Sequence, residues 1–138
     1  MVVAIGTDLV AVSRIAAVYA KRGDRRLQEE QQEQQEDHKP QALRSSSKVL
    51  PGKHSHAILF LASRWALKEA TYKACFPYRL VWSDIQADLV QAKPMLRIDG
   101  RLKEALQARG ASHAHISLSH DGDYALAFVV LDASGQKG

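Results

Sequence analysis

Three charged side chains carry the chemistry of a metal-and-phosphate site: Asp8 near the N-terminus, and Glu69 and Lys73 near the middle of the chain. Two carboxylates, completed by waters and phosphate oxygens, suit the octahedral oxygen coordination that Mg²⁺ requires. Lys73 stands about one helical turn after Glu69, so its ammonium can contact the same phosphates as a point charge. The three residues therefore predict a magnesium-dependent phosphate site, provided that the fold brings Asp8 to Glu69. A solvated charged face is the alternative explanation.

Glu69 and Lys73 lie in a helix predicted over residues 60–74, a stretch rich in helix formers that contains neither Gly nor Pro. At about 100° per residue, small apolar side chains fall on one side of this helix and charged ones on the other. The pattern predicts that the helix packs by its alanine side against the core. The apolar side consists of Ala66, Leu67, Ala70 and Ala74, and the charged side of Arg64, Lys68, Glu69 and Lys73.

Asp8 follows a short apolar, β-branched run at residues 2–5, which predicts a buried strand. We expect this strand to end at Gly6-Thr7-Asp8, where the carboxylate would be held rigidly. Asp8 also suits the N-cap of a helix that is predicted over residues 10–22, and the two roles are compatible.

The helix predicted over residues 10–22 has two different faces. Arg14, Val18 and Lys21 line up on one side, and a basic stripe around one exposed apolar residue suits the docking of an acidic helix. A merely solvated face is the alternative. The predicted buried stripe on the other side consists of Val12, Ile15, Ala16 and Tyr19.

Residues 27–56 differ in composition from the rest of the chain, because they are rich in Gln, Glu and Ser and poor in apolar side chains. Such a segment buries too little apolar surface to offset the entropy of ordering it. We expect a disordered insertion here, with an exposed helix end as the alternative for the Gln/Glu run. Its histidines, at spacings that match no compact metal site, are expected to be solvated: His38, His54 and His56.

The remaining chain alternates short strands with one helix and closes in a hairpin at Asp121-Gly122. Together with the helix over residues 60–74, this order predicts an α+β fold in which an antiparallel sheet packs against a long central helix. The predicted elements are strands at 84–90 and 95–98 around a turn at Lys93-Pro94, a helix at 101–107, and strands at 113–118 and 124–131.

Ser117, Ser119 and His120 come at the end of a predicted strand, just before the hairpin turn. A serine and a histidine at a strand end can hydrogen-bond an anionic group. A hydrolase is a weak alternative, because no G-x-S-x-G elbow surrounds the serine. No Gly-rich phosphate loop occurs either, so any phosphate chemistry must use side chains and a metal.

Length and composition limit the possible classes of protein. The 138 residues, 46% of them hydrophobic, suit one soluble domain, and the net charge of +4 favours an acidic partner. The single cysteine, Cys75, excludes an internal disulfide. No apolar run approaches the roughly 20 residues of a membrane span, and the N-terminus has no targeting pattern. We therefore expect an intracellular protein, cytoplasmic by default and with the mitochondrial matrix as the alternative.

Five segments of the sequence resemble the holo-acyl-carrier-protein synthases, the small trimeric class of 4′-phosphopantetheinyl transferases. The combination of G-x-D with W-x-x-K-E-A-x-x-K-A is specific to that family. Two departures are notable: the family's glycine before Lys-Pro is Ala92 here, and the Gln/Glu-rich insertion is foreign to the compact bacterial form, which hints at a fungal branch. The matching segments are residues 5–15, 60–74, 84–85, 93–94 and 115–131.

The resemblance implies an Mg²⁺ enzyme that moves phosphopantetheine from coenzyme A to a serine of an acidic acyl carrier protein, without nucleic acid or a membrane as partner. It also implies a single domain of this fold over residues 1–138, and a homotrimer with sites between subunits, so that His120 would act across an interface from Asp8. The implied residues are Asp8 and Glu69 for the metal and catalysis, Lys73 near the diphosphate, Arg64, Lys68, Lys93, Pro94, Ser119 and His120 for the coenzyme, and Arg14, Val18 and Lys21 for the carrier.

The mechanism that follows from the resemblance is direct transfer. The carrier serine attacks the β-phosphorus of coenzyme A, its proton passes to Glu69 or to a water on the ion, and Lys73 steadies the departing 3′,5′-ADP. No covalent enzyme intermediate is needed, so Cys75 has no nucleophilic role. A basic nucleic-acid-binding module and an inactive scaffold are the alternatives from other classes.

Overall fold

Helices and strands alternate along the chain in its computed structural model, which describes residues 1–33 and 54–133, with side chains described for residues 1–23 and 54–133. None of the helices in these ranges is long and apolar enough to cross a membrane. The elements are β1 (Val2–Ala11), α1 (Val12–Glu33), α2 (His56–Cys75), a short 3-10 helix (Trp82–Asp84), β2 (Ala87–Val90), β3 (Lys93–Leu96), α3 (Gly100–Ala108), β4 (His113–Asp121) and β5 (Tyr124–Asp132).

Three strands form the main sheet in the order β1-β5-β4, and all neighbours are antiparallel. A separate antiparallel hairpin joins β2 to β3. In the main sheet Asp8 is opposite Ala127, and His120 is opposite Ala125. The predicted α+β class with an antiparallel sheet is confirmed.

Helix α2 packs on one face of this sheet through small side chains. Ala66, Ala70 and Ala74 are buried on the helix, and they face strand residues that are equally small or branched. The approach is closest at Gly6 of β1, where a Cβ would lie 1.9 Å from the carbonyl oxygen of Ala70. The predicted alanine side of the helix is therefore the side that meets the core. The buried positions of β5 are Ala125, Ala127, Val129 and Leu131.

Strand β1 is longer than the sequence predicts. It continues to Ala11, because β5 supplies a hydrogen-bonding partner as far as the pair Ala11 and Tyr124. Asp8 therefore lies inside the strand and not at its end, and it does not cap α1, which begins at Val12. Tyr19, predicted to be buried, is 59% exposed.

The segment predicted as disordered, residues 27–56, is helical at both ends. Helix α1 continues to Glu33. The first part of the Gln/Glu run is therefore helical, which was the alternative to disorder for that run. At the other end Ser55 caps α2 by accepting a hydrogen bond from Ile58 N, at 3.3 Å. Residues 34–53, His38 among them, lie outside the described residues.

Two local predictions in the second half are wrong. The turn between β2 and β3 is at Gln91 and Ala92, with φ of 50° and 62°, and Lys93-Pro94 begins β3. The strand predicted over 84–90 starts only at Ala87, because Asp84 Oδ2 accepts a hydrogen bond from Val81 N at 2.8 Å and closes a 3-10 turn.

We expect Gly6→Ala to destabilise the protein by at least about 2 kcal/mol, because the new Cβ would force β1 away from the backbone of α2. Gly23→Ala is the matched control: nothing lies within 4 Å of its Cβ position in α1, so it should gain up to about 1 kcal/mol of helix propensity. Denaturant unfolding of both variants measures the difference. Equal stability of Gly6→Ala and the parent chain would contradict the close packing described here.

Candidate active site

The crossing of β1 over α2 brings Asp8 to Lys73. Asp8 follows Gly6 by two residues, so its side chain leaves the strand on the same face, towards the helix. Lys73 Nζ lies 2.7 Å from Asp8 Oδ1 and donates a second hydrogen bond to the Thr7 carbonyl at 3.0 Å. The Asp8 side chain is 16% exposed and that of Lys73 51% exposed. Asp8 and Lys73 thus form an ion pair beside the point where β1 crosses α2.

Glu69 lies one helical turn before Lys73 on the same side of α2. It is partly buried, and within the described residues its carboxylate makes no hydrogen bond or ion pair. Glu69 therefore has carboxylate oxygens that no described protein group occupies.

Asp8 on β1 and Glu69, one turn before Lys73 on α2, are the carboxylates of this region that could bind a magnesium ion. No group of three or more His, Cys, Asp or Glu side chains in residues 1–23 and 54–133 could hold a metal by itself. Mg²⁺ normally binds one or two carboxylates and takes its other ligands from waters and phosphates. In the free protein Asp8 is paired with the Lys73 ammonium, so an ion that binds Asp8 would compete with that ammonium.

A second group of basic side chains lines a cavity of about 290 Å³ between the first turns of α2, the start of β3 and the end of β4. Arg64 and His120, which the sequence assigned to coenzyme binding, meet there beside Pro94. His56, expected to be merely solvated, lies in the same cavity. The sequence contained a signal for this position of His56. If the helix predicted over 60–74 starts at residue 56, residues 56 and 64 are about two turns apart and lie on the same side of it.

Arg64 has unused hydrogen-bonding capacity at this cavity. Its guanidinium stacks over the Phe60 ring at 4.7 Å from the centroid, and its buried Nη1 has no hydrogen-bond partner among the described residues. A guanidinium presents five donors and no acceptor, so an anion is its natural partner. The cavity therefore favours a phosphate or carboxylate group.

Lys68 points away from this cavity, towards α1. Its ammonium donates to the Trp82 carbonyl at 2.8 Å and lies 5.3 Å from the centroid of the Trp82 ring. Burial lowers the pKa of Lys68 below its usual value. Trp82 in turn packs on Trp65, with ring centroids 4.8 Å apart. Lys68 and Arg64 both line the groove between α1 and α2, and Arg64 also borders the cavity of His120.

The cavity that Lys68 lines is a groove of about 590 Å³ between α1 and α2. Val18, 43% exposed, lies on the α1 side of it with Tyr19 and Arg22. Arg14 and Lys21, the other predicted docking residues, are exposed on α1. The groove is therefore apolar and aromatic within and basic at its edge.

Ser119 and His120 do not form one anion site within this chain. Consecutive residues of a strand point to opposite faces, and here Ser119 lines a shallow apolar groove on the outer face of the sheet while His120 lines the inner cavity. Lys93 is exposed at the start of β3.

Cys75 is fully buried at the end of α2, and burial raises the pKa of its thiol to about 11, against a smaller opposing effect of Arg109. A thiolate is the reactive form of cysteine, so this side chain is inert at neutral pH. The geometry agrees with a reaction that uses no cysteine nucleophile.

Comparison with known proteins gives consistent results. The chain is 34% identical over 138 residues to a holo-[acyl-carrier-protein] synthase of Thermus thermophilus, covering 100% of this chain and 99% of the relative. The crystal structure of the holo-[acyl-carrier-protein] synthase from Neisseria meningitidis matches with a TM-score of 0.64 at 28% identity, over 96% of this chain and 99% of that one.

A third match is a holo-(acyl-carrier-protein) synthase from Bacillus anthracis in complex with CoA (3′,5′-ADP), with a TM-score of 0.61 at 26% identity, over 97% of this chain and 99% of that one. All three relatives are bacterial, so they do not support the fungal branch suggested by the insertion. The family model of the 4′-phosphopantetheinyl transferase superfamily matches residues 4–129. The site geometry and these matches lead to one conclusion: the chain belongs to the 4′-phosphopantetheinyl transferase superfamily.

Proposed function

We propose that this chain transfers the 4′-phosphopantetheine group of coenzyme A to a serine of an apo acyl carrier protein, giving the holo carrier and 3′,5′-ADP, and that the reaction depends on Mg²⁺. The observation that carries the proposal is the meeting of Asp8 with Lys73, one turn from the unpartnered Glu69. The matches to holo-acyl-carrier-protein synthases support the same reaction.

Asp8 and Glu69 would hold the ion, and an Mg²⁺ bound there would neutralise charge on the coenzyme diphosphate. Lys73 is placed to exchange its contact with Asp8 for one with a phosphate oxygen, since its ammonium is half exposed. The chain would thus use the same lysine as the counter-ion of Asp8 in the free protein and as a phosphate ligand in the complex.

The phosphorylated ribose of coenzyme A would enter the cavity of Arg64, His56 and His120. Arg64 precedes Glu69 by five residues, about 7.5 Å along the helix axis and about 140° around it, so a ligand that contacts both would have to pass around the side of α2. An anion there would satisfy the buried Nη1 of Arg64. Lys93 and Pro94, at the start of β3, border the same region of the molecule.

Proton transfer from the carrier serine would go to Glu69. Its carboxylate lacks a protein partner in the described residues and lies on the same helix face as Lys73. A water beside it is the alternative acceptor. Either way the serine attacks the β-phosphorus directly, and the buried Cys75 takes no part.

The carrier would dock on α1 and on the groove between α1 and α2. Arg14 and Lys21 offer positive charge to an acidic protein, while Val18 and Trp65 offer apolar contact. Charges of this kind act mainly on the association rate and on specificity, and the apolar groove on affinity.

We also propose that the chain works as a homotrimer with sites between subunits. The outer face of the main sheet carries large apolar side chains in contact with solvent, which soluble monomers rarely present as one patch. Burial of this face in an assembly would remove it from water and would let His120 of one subunit serve Asp8 of another. The exposed residues are Ile5 (57%), Leu9 (61%), Tyr124 (54%) and Phe128 (43%).

Incubation with apo carrier, coenzyme A and Mg²⁺ should add one phosphopantetheine to the carrier, detected by its intact mass. Asp8→Ala and Glu69→Gln should lower the rate by about a hundredfold or more, because each removes a carboxylate from the ion. Glu104→Gln, a change of an exposed carboxylate on α3, should keep the parent rate. Full activity and unchanged magnesium dependence of Glu69→Gln would refute its assignment.

Lys73→Met should have opposite effects on the two ligands. Removal of the ammonium from Asp8 Oδ1 should tighten Mn²⁺ binding to the free protein several-fold, because the competing cation is gone. Coenzyme A binding should weaken, because a phosphate contact is lost. Calorimetric titration of each ligand measures both effects, with Lys103→Met on α3 as the control. Weaker Mn²⁺ binding in Lys73→Met would contradict this double role.

Phe128→Lys should abolish the trimer, because it places a charge in the middle of the outer apolar face. Light scattering should give three times the chain mass for the parent and a single chain mass for the variant, with loss of transferase activity. Val90→Lys, at an equally exposed apolar residue outside that sheet, should remain trimeric. A monomeric parent with full activity would reject the intersubunit site.

A further inference from the structure

Asp123, in the turn between β4 and β5, joins three parts of the fold through one carboxylate. Its Oδ1 accepts a hydrogen bond from Ser13 N at 2.9 Å, and its Oδ2 accepts one from Ser13 Oγ at 2.6 Å. His54 Nε2, just before α2, lies 2.7 Å from Oδ1. The Asp123 carbonyl also accepts from Val12 N, at 2.7 Å. The mechanism proposed above uses none of these contacts.

These contacts keep Asp123 ionised. Hydrogen bonds from Ser13, and after them that from His54, hold the pKa of Asp123 below its usual value, although partial burial opposes them. The His54 side chain is only 17% exposed, whereas the sequence predicted a solvated histidine. The cluster is not a nucleophile with its base, because Asp123 lies between Ser13 and His54 and accepts from both.

The three parts of the fold that Asp123 joins carry the two surfaces of the proposed site. The β4–β5 turn lies next to His120: one strand pair, Asp121 with Tyr124, separates the turn from the pair of His120 with Ala125. The start of α2 carries His56 and, two turns on, Arg64. The start of α1 leads into the face with Arg14 and Val18.

We propose that Asp123 is a positioning residue that holds the two binding surfaces in register: through His54 it sets the coenzyme cavity, and through Ser13 it sets the carrier-docking helix. The inference rests on the proposed function, because it assigns the two surfaces to coenzyme A and to the carrier. His54 fixes the first turn of α2 against the strand end that bears His120, so the two walls of the cavity keep their separation.

The two arms of Asp123 can be tested separately. His54→Ala removes only the arm to α2, and it should raise the Kd and KM for coenzyme A about fivefold while kcat and the KM for the carrier change less than about twofold. His54→Gln keeps an N–H donor towards Asp123 and should restore coenzyme A binding. Ser13→Ala removes the hydroxyl contact of α1 and should raise the KM for the carrier alone. Asp123→Ala should raise both.

Asp121→Ala is the matched control, because Asp121 is an exposed carboxylate of the same turn without a hydrogen bond or ion pair among the described residues. It should leave all constants unchanged. The His54 and Ser13 variants each lose one contact with Asp123. They therefore test the positioning role of Asp123 even if Asp123→Ala does not fold.

Equal coenzyme A affinity in His54→Ala and the parent would overturn the inference. So would equal losses of kcat in His54→Ala and His54→Gln with unchanged KM values, because that result indicates a purely structural role. If the parent protein itself binds no coenzyme A by calorimetry and modifies no carrier, the proposed function fails, and the inference with it.

Discussion

The close crossing of β1 and α2 at Gly6 is the constraint on which the rest of the structure depends. The position of a Cβ there, 1.9 Å from the Ala70 carbonyl oxygen, is occupied by backbone that cannot move aside, so only glycine allows the strand to approach. Alanines on the facing side of α2 keep the helix close to the sheet along the rest of the contact. Because the strand lies so near the helix, the short side chain of Asp8 can reach the ammonium of Lys73. A larger residue at position 6 would therefore separate charges that the proposed chemistry needs together.

Helix α2 is shared by the Asp8–Lys73 pair and by the cavity of Arg64, and its regular geometry explains their separation. His56 and Arg64 line the cavity with His120, whereas Lys73 contacts Asp8 of β1 and Glu69 lies one turn before it. Because a helix is more rigid than a loop, the distance between these two regions is fixed. A fixed distance suits a ligand with a phosphate at one end and a diphosphate further along. Lys68 departs to the α1 side and contributes its stem and ammonium to the wall of the docking groove, held there by Trp82.

Sequence reasoning recovered the elements whose pattern is local and missed those that depend on distant partners. The helix containing Glu69 and the hairpin after His120 follow from composition and turn chemistry. The structure brings Asp8 to Lys73 of this helix, and the predicted sharing of an ion by Asp8 and Glu69 stays a prediction. The length of β1 does not, because it is set by β5 more than a hundred residues away in the chain. The turn at Gln91 and Ala92 was hidden because neither residue is typical of positive φ, although glycine, the residue expected in the family before Lys-Pro, suits the φ of 62° at Ala92. His54 was misjudged because it adjoins a low-complexity segment, while its actual partner is Asp123. His56 is exposed, as predicted, and borders the cavity of Arg64.

Strand β5 explains why one sheet would serve both the core and an assembly. Its inward residues, such as Ala127 and Val129, are completely buried against α2. Its outward residues, Leu126, Phe128 and Val130, are also apolar, and they line a shallow groove on the opposite face. A strand with one wet face normally alternates apolar and polar side chains, whereas a strand covered on both faces is apolar throughout. The second pattern indicates a second covering layer, and within the described residues no element of this chain lies on that side in contact with those side chains. Another copy of the chain would supply that layer.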